Sequence, residues 1–375
     1  MESDPFIHQP TVSSGPFVIT EWVAGDHITL LPNPNFYKGR AKLDRVMIRF
    51  IADSEQALAA LQAGDVDWSP EFSTYDIANV AALEPNVHLK ASPQGFLLRY
   101  FFNLGTTTGA NNQGQSDQNG FCPFQDYRVR KAIILGIDRQ SIVDQLLGGY
   151  TSVPASLWPN SEWNNASLIP ESYDPDKANQ LLAEAGYFDD DGDGIRDGNC
   201  NGQFTRLSIN FVTTTATIRE NIAQMVKADL ALIGIEFLPT HLPSSTLFAS
   251  YNDGGTLSQG DFDMASFGIG FYPDPSPSVS FLCKYVTSSS NPDGGNWDHI
   301  CDPTLDSLIT DIDSTVDPAR RKQAMDAVQE YLYDNALTIP IYTYIGVYGH
   351  TDRFLPGSFS EVGGMGWAAE DWDVK

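Results

Sequence analysis

Residues 206–242 read RLSINFVTT (206–214), ATIRENIAQMVKADLALIGI (216–235) and EFLPTHL (236–242). The outer pieces are short runs of strand length, and the middle piece is a helical stretch too long for a strand. Strand, helix and strand in direct succession predict an α/β architecture. The chain repeats that alternation outward in both directions. Residues 15–39, GPFVITEWVAGDHITLLPNPNFYKG, alternate apolar and polar residues across a Gly-Asp turn and read as a β-hairpin. LDRVMIRFI (43–51) is another strand, followed by a helix in ADSEQALAALQAGDVDW (52–68). Asp53 or Ser54 caps that helix, Ala57, Leu58 and Leu61 share a face, and Gly64 ends it. FLLRYFFNL (96–104), FDMASFGIGF (262–271) and IPIYTYIGVYGH (339–350) are strand-like. DYRVRKAIILGIDRQSIVDQLLGG (126–149) reads as one long helix, and DPDKANQLLAEAGY (174–187), DPTLDSLITDIDS (302–314) and DPARRKQAMDAVQEYLYDN (317–335) as three more. Between them, GTTTGANNQGQSDQNG (105–120) is polar and glycine-rich, the composition of a hinge or domain boundary.

At 375 residues the chain is long for one domain, and two are expected. Its composition is globular, with 42% hydrophobic and 19% charged residues. A net charge of −26 argues against nucleic acid and anionic membranes as partners and suits an extracellular or cell-surface protein. No run of 18 apolar residues occurs, and the first residues, MESDPFIHQPTVSS, lack the basic start and apolar stretch of a signal peptide. The basic group Arg128, Arg130 and Lys131 is expected to be a solvated helix start or to pair locally with Asp126.

The four cysteines, Cys122, Cys200, Cys283 and Cys301, are spread out, with no CxxC pair. Two disulfides fit, Cys283 with Cys301 tying off a polar loop and Cys122 with Cys200 as the remaining pair; the alternative is four buried thiols. The densest charge lies in DDDGDGIRD (189–197). Asp189, Asp191, Asp193 and Asp197 occupy positions 1, 3, 5 and 9 of an EF-hand-like loop, Gly194 takes the turn position, and Ile195 offers its carbonyl. A structural Ca²⁺ is the expectation, against a plain solvated turn. The departure is Cys200, which stands at position 12 where a bidentate Glu belongs, and no flanking EF-hand helix pair is evident.

Five stretches in order carry a family resemblance: SSGPFVITEWVAGDHITLLPNPNFYKG, AALQAGDVD, PFQDYRVRKAIILGIDRQSIVDQLLGGY, YDPDKANQLLAEAGYFDDDGDGIRDG and DFDMASFGIGFYPDPSPSVSFL. Together they resemble the extracellular solute-binding proteins of ABC importers, family 5, the dipeptide and oligopeptide-binding type. The resemblance implies a two-lobed periplasmic-binding-protein-like fold (type II, cluster C) that closes on a ligand. It implies a discontinuous first lobe, here 1–102 plus 343–375, and a second lobe at 103–342. Family members carry a further portion before the position of Gly15, so the expectation is an N-terminally truncated lobe I. The implied function is capture of a peptide or similar small solute outside the cell, at the cell surface or in the periplasm. The implied partners are transmembrane permease subunits, and the binder is expected to be a monomer.

Interdomain clefts are where such ligand sites form. The stretch Gly268–Pro275 matches the family's pocket-lining turn, which puts Gly270, Phe271 and Tyr272 at the ligand. Peptide-binding members place an Asp near the position of Phe271, so an apolar residue there weakens the peptide reading. Phe271 and Tyr272 instead offer stacking faces for an oligosaccharide, or pack ordinarily. Asp274 belongs to the Asp-Pro turn. Arg219, placed just before a helix at 220–233, matches a region where some dipeptide binders hold a carboxylate; a solvated helix arginine is the alternative. Tyr100 and Asn103 are expected at the hinge crossing and Trp297 over the loop that ends at Cys301. Nickel chelates and opines are further ligand classes within the resemblance. An enzyme is not expected: GxSxG, HExxH and P-loop patterns are missing, the six histidines are scattered, and a carboxylate hydrolase has only a diffuse acidic surface to rest on.

Overall fold

The computed structural model describes residues 12–72, 77–105, 120–270, 274–358 and 365–375. The chain forms two compact units, Met1–Gln94 with Ile345–Lys375, and Gly95–Tyr344. The divisions fall earlier than 102/103 on the first pass and later than 342/343 on the second.

Unit 1 holds a three-stranded antiparallel sheet, β1 (Phe17–Val23), β2 (His27–Pro32) and β3 (Val46–Arg49), in that order. The β1–β2 turn is the expected one, with Gly25 at φ 76°. Helix α1 (Ser54–Ala63) starts at Asp53, whose carboxylate accepts the Gln56 N–H at 3.0 Å, and stops at Gly64 in the left-handed conformation. Its Leu61 is buried with Phe72, Val87 and Val347, and Ala57 and Leu58 pack beside it. Strand β4 (Trp68–Phe72) carries Trp68 into a second small core, stacked on Phe354 at 5.9 Å and edge to face with Trp372 at 4.8 Å.

Unit 2 is built on a mixed sheet. The long strands β5 (Val87–Phe102) and β11 (Thr338–Thr351) each run from one unit into the other. Within unit 2 the order is β11-β5-β10-β8-β9, with β8 (Ser208–Thr214), β9 (Glu236–Leu242) and β10 (Met264–Gly270). Strands β9 and β10 both pair parallel to β8, and β10 pairs antiparallel to β5. Between β8 and β9 runs a helix (Thr217–Ala231), the crossover that parallel strands require.

Alternation along the strands gives the sheet two apolar faces. One buries Leu98, Tyr100, Phe102, Ile209, Phe211 and Met264 under helices. The other buries Phe101, Val212 and Ala265, with Phe267 and Trp297 packed on them. On that second face Arg99 and Asp298 form a two-pronged ion pair, at 2.8 and 2.7 Å, with both side chains almost wholly buried.

The predicted long helix is two. Helix α2 (Tyr127–Gly136) stops before Ile137, and α3 (Arg139–Leu146) starts afresh at Asp138. The cause is local: the Asp138 carboxylate accepts the backbone N–H and the hydroxyl of Ser141, an N-cap in the middle of the periodic stretch. Arg139, buried at its start, donates to the carbonyls of Glu171 and Pro340. Three later helices, α4 (Pro175–Glu184), α6 (Pro303–Ser314) and α7 (Pro318–Asp334), begin alike, with Asp174, Asp302 and Asp317 as N-caps and Pro at the first helical position; the crossover helix is α5. Both disulfides are formed: Cys283–Cys301 with Cα atoms 4.4 Å apart, and Cys122–Cys200 at 6.1 Å.

The basic group is spent locally. Arg128 pairs with Asp126 and Lys131 with Glu171, while buried Arg130 donates to the carbonyls of Phe124, Asn335 and Ala336.

Candidate functional site

In an open α/β sheet, ligands meet the carboxyl ends of the parallel strands. At that edge of unit 2, β8 ends on Thr213 and Thr214, and α5 begins three residues on. Arg219 lies in the first turn of α5, not before it, because the helix starts at Thr217. The guanidinium is half-buried. Its Nη1 donates to Thr214 Oγ1 at 2.5 Å and its Nη2 to the Tyr344 hydroxyl at 3.3 Å. Its Nε is buried without an acceptor. No carboxylate forms an ion pair with Arg219 among the described residues. A cation that is half out of water and held only by neutral oxygens is suited to take an anion. Ala216 at the N-cap gives no side-chain hydrogen bond, so the positive end of α5 adds to the same field.

Two glycines shape the neighbouring strand. Gly268 and Gly270 sit two apart on β10, so they face one side. A Cβ on Gly268 would stand 3.1 Å from the Tyr344 hydroxyl, and one on Gly270 would stand 2.8 Å from the Phe96 ring. Each absent side chain lets an aromatic lie close over the strand. Phe96, opposite Gly270 on β5, is 51% exposed. Tyr344 and Phe96 were not foreseen from the sequence. The only signal was the Gly-Ile-Gly of 268–270 inside an apolar strand.

The residues expected at the ligand are only partly brought together. Tyr100 is a core residue, its ring 4.6 Å from Phe211; burial pushes its hydroxyl pKa up, and the charge of Arg219 works against that rise. Asn103 is wholly buried and uses its amide on the fold. It donates to the carbonyls of Gly260 and Phe262, each at 3.0 Å, and accepts the Gly105 N–H. Its carboxamide has no exposed edge for a ligand. Trp297 packs on Phe267 and Phe248. Phe267 alternates with Gly268, so Trp297 lies on the other face of the sheet from Tyr344. Gly270 is at the strand end beside Phe96, and Phe271 and Tyr272 lie outside the described residues. Asp274 pairs with Arg321 at 2.8 Å.

In the acidic loop, Asp189, Asp191 and Asp193 bring one oxygen each within 4.8 Å of one another, all exposed. Asp197 is not among them. It opens the first strand of a short hairpin, β6 (Asp197–Cys200) with β7 (Gln203–Arg206), and one of its oxygens is buried without a partner. Burial, and then the neighbouring carboxylates, push its pKa up, with Arg206 opposing. The loop also satisfies itself. Asp189 accepts the N–H groups of Gly192 and Gly194, Asp193 accepts that of Ile195, and Arg206 pairs with Asp193 at 2.6 Å. Three of the four predicted carboxylates thus converge, and the Arg206 guanidinium supplies one of the charges set against them.

Comparison with known proteins agrees with this architecture. Residues 2–292 match the family described as bacterial extracellular solute-binding proteins, family 5 Middle. The oligopeptide-binding protein AppA of Bacillus subtilis is 31% identical over 280 residues, which are 73% of this chain and 47% of AppA. The nickel-binding periplasmic protein of Escherichia coli is 24% identical over 341 residues, 90% of this chain and 60% of that protein. Among solved structures, AppA in complex with a nonapeptide matches with a TM-score of 0.71 at 25% identity, over 100% of this chain and 69% of that one. NikA from Brucella suis in complex with Fe(III)-EDTA shares the fold, with a TM-score of 0.75 at 21% identity over 97% of this chain and 68% of that one. The chain spans about half the length of the curated relatives it matches.

Proposed function

Because the chain belongs to the family 5 bacterial extracellular solute-binding proteins, we propose that it is the solute-binding component of an ABC importer and that its solute carries a carboxylate, a short peptide first among the candidates. The observation that carries this reading is Arg219, half-buried, with a buried Nε that has no acceptor and no acidic partner among the described residues. Thr214 and Tyr344 fix the guanidinium plane, so its fork meets a carboxylate without first losing rotamer freedom. Gly268 keeps the Tyr344 hydroxyl in place, since a Cβ there would press on it. A neutral oligosaccharide gains nothing from a charge already half-desolvated, which ranks that alternative lower. Chelates and opines bear carboxylates and fall within the same class. The protein delivers the solute to permease subunits outside the cytoplasm and leaves it chemically intact.

The test is a thermal-shift series with tri- to pentapeptides, their C-terminal amides and cello-oligosaccharides, followed by mass spectrometry of the recovered ligand. Free-acid peptides are expected to raise the melting temperature and to be recovered whole. Amides should shift it much less. An equal shift by acid and amide, or a shift by the oligosaccharides alone, contradicts the carboxylate reading. Cleaved peptide contradicts the binder reading. N-acetylated peptides are expected to bind like the free ones, since the sequence has an apolar Phe271 near the position where the resemblance implies an Asp in peptide binders.

A further inference from the structure

The hairpin beside the acidic loop turns on a single pair of residues. Cys200 is opposite Gln203 in the β6–β7 register, so Asn201 and Gly202 make the whole connection, with φ of 53° and 82°. Positive φ at both positions marks a type I′ turn, and Asn-Gly is a pair that it favours. In the same pair a side-chain amide is most open to attack by the following backbone nitrogen, because glycine puts no Cβ in the way. Both residues are exposed, and a Cβ on Gly202 would meet nothing within 4 Å. Two contacts hold the reacting groups apart. The Gly202 N–H, which carries the nucleophilic nitrogen, donates to Asn199 Oδ1 at 2.8 Å. The Asn201 Nδ2, the leaving group, donates to Cys122 Sγ at 3.4 Å. That sulfur is bonded to Cys200, the residue just before Asn201, so the disulfide ties the amide to its own turn. Cys122 and Cys200 are each partly exposed, within reach of a thiol.

We propose that Asn201 is a site of spontaneous deamidation, closed while Cys122 and Cys200 are joined and opened when a thiol reductant separates them. The reduction consumes two thiols, which leave as a disulfide, and returns Cys122 and Cys200 as thiols. It releases the sulfur that held the Asn201 amide, and the turn can then leave its I′ form. The Gly202 nitrogen forms a bond to Asn201 Cγ, the Cγ–Nδ2 bond breaks, and Nδ2 departs as ammonia with the proton that Gly202 gives up. Water then adds to one or the other carbonyl of the five-membered imide and leaves aspartate or isoaspartate; no electrons are transferred in these two steps. Either product sets a further negative charge on a hairpin that starts at Asp197, directly after the acidic loop. Isoaspartate also routes the main chain through the side chain, and a two-residue turn has no room for the extra methylene. A single reduction thus leaves a lasting mark on the hairpin, even if the disulfide forms again. The inference does not depend on the carboxylate reading.

The experiment incubates the 375-residue chain in mildly alkaline buffer, with and without a dithiol reductant, and follows the peptide that contains Asn201 by mass spectrometry, with chromatographic separation of aspartate from isoaspartate. Reduction is expected to speed the loss of Asn201 at least about tenfold, the factor that goes with losing the hold of one hydrogen bond. Cys122→Ala with Cys200→Ala should do the same without reductant, since it removes this disulfide and leaves Cys283–Cys301 in place. Circular dichroism checks that the double variant folds. Asn199→Ala serves if it does not: it keeps both disulfides, frees the Gly202 N–H, and should hasten deamidation of Asn201 severalfold. Equal rates at Asn201 in the oxidised, reduced and Asn199→Ala proteins would overturn the proposal. So would rapid deamidation of the oxidised, unaltered protein, because the disulfide would then protect nothing.

Discussion

Asp298→Asn removes one charge from the most deeply buried ion pair of unit 2. Arg99 and Asp298 are 3% and 1% exposed at the side chain, and two hydrogen bonds of 2.8 and 2.7 Å join them. The guanidinium also lies over the Phe101 ring at 4.5 Å, with Phe281 and Phe267 at 5.5 and 5.6 Å. The Asp298 carbonyl takes the Leu104 N–H, so the pair ties β5 to the segment closed by Cys283–Cys301. With the carboxylate gone, a guanidinium is left among aromatic rings with no counter-charge. Breaking one side of a buried pair costs about 3–5 kcal/mol. At about 2–4 °C per kcal/mol for a unit of this size, the melting temperature should fall by about 6–20 °C. Differential scanning calorimetry in dilute buffer reads this directly. Asp298→Leu with Arg99→Met removes both charges and should recover most of the loss. If Asp298→Asn melts within about 2 °C of the unaltered protein, the reasoning about the pair is wrong.

Three further outcomes follow. The disulfides close spans of 78 and 18 residues, so replacing Cys122 and Cys200 by Ala should cost about 4.5 kcal/mol, against about 3 kcal/mol for Cys283 and Cys301; denaturant melts giving the reverse order would contradict the loop-closure account. His88 lies between Asp352 at 2.8 Å and Glu84 at 3.4 Å, with the His350 ring 5.2 Å away, and the hydrogen bond to Asp352 raises its pKa. A raised pKa gives stability that is complete below the unfolded value and is lost as pH rises through the folded one. His88→Gln should therefore lower the melting temperature at pH 5.5 and hardly at all at pH 8.5, and an equal fall at both would refute the assignment. At the acidic loop, millimolar Ca²⁺ is expected to raise the melting temperature and EDTA to lower it, with Asp191→Ala abolishing both; no response to either leaves a turn neutralised by its own N–H groups and Arg206.

Legibility followed the range of each interaction. The β8-α5-β9 crossover, the α1 caps at Asp53 and Gly64 and the Asp-Pro helix starts depend on residues within a few positions, and all are present in the sequence. Asp138 lay equally close, but the apolar period runs through it, and only the Ser141 hydrogen bonds show that a new helix starts there. The site was harder to read. Arg219 could be singled out as a candidate carboxylate ligand, beside the reading as a solvated helix arginine, yet what holds it includes Tyr344, 125 residues away. Asn103 looks like a polar residue at a crossing and is in fact occupied by the carbonyls of Gly260 and Phe262. No local pattern separates a ligand-facing amide from one that fastens a loop.

If the proposed solute carboxylate sits on the Arg219 guanidinium, isothermal titration of one tripeptide free acid will separate the unaltered protein from Arg219→Gln. Loss of a charge-assisted pair should weaken binding by roughly tenfold to hundredfold, while the same peptide's C-terminal amide should bind both proteins alike. Arg219→Gln binding the free acid as tightly as the unaltered protein does would contradict the account.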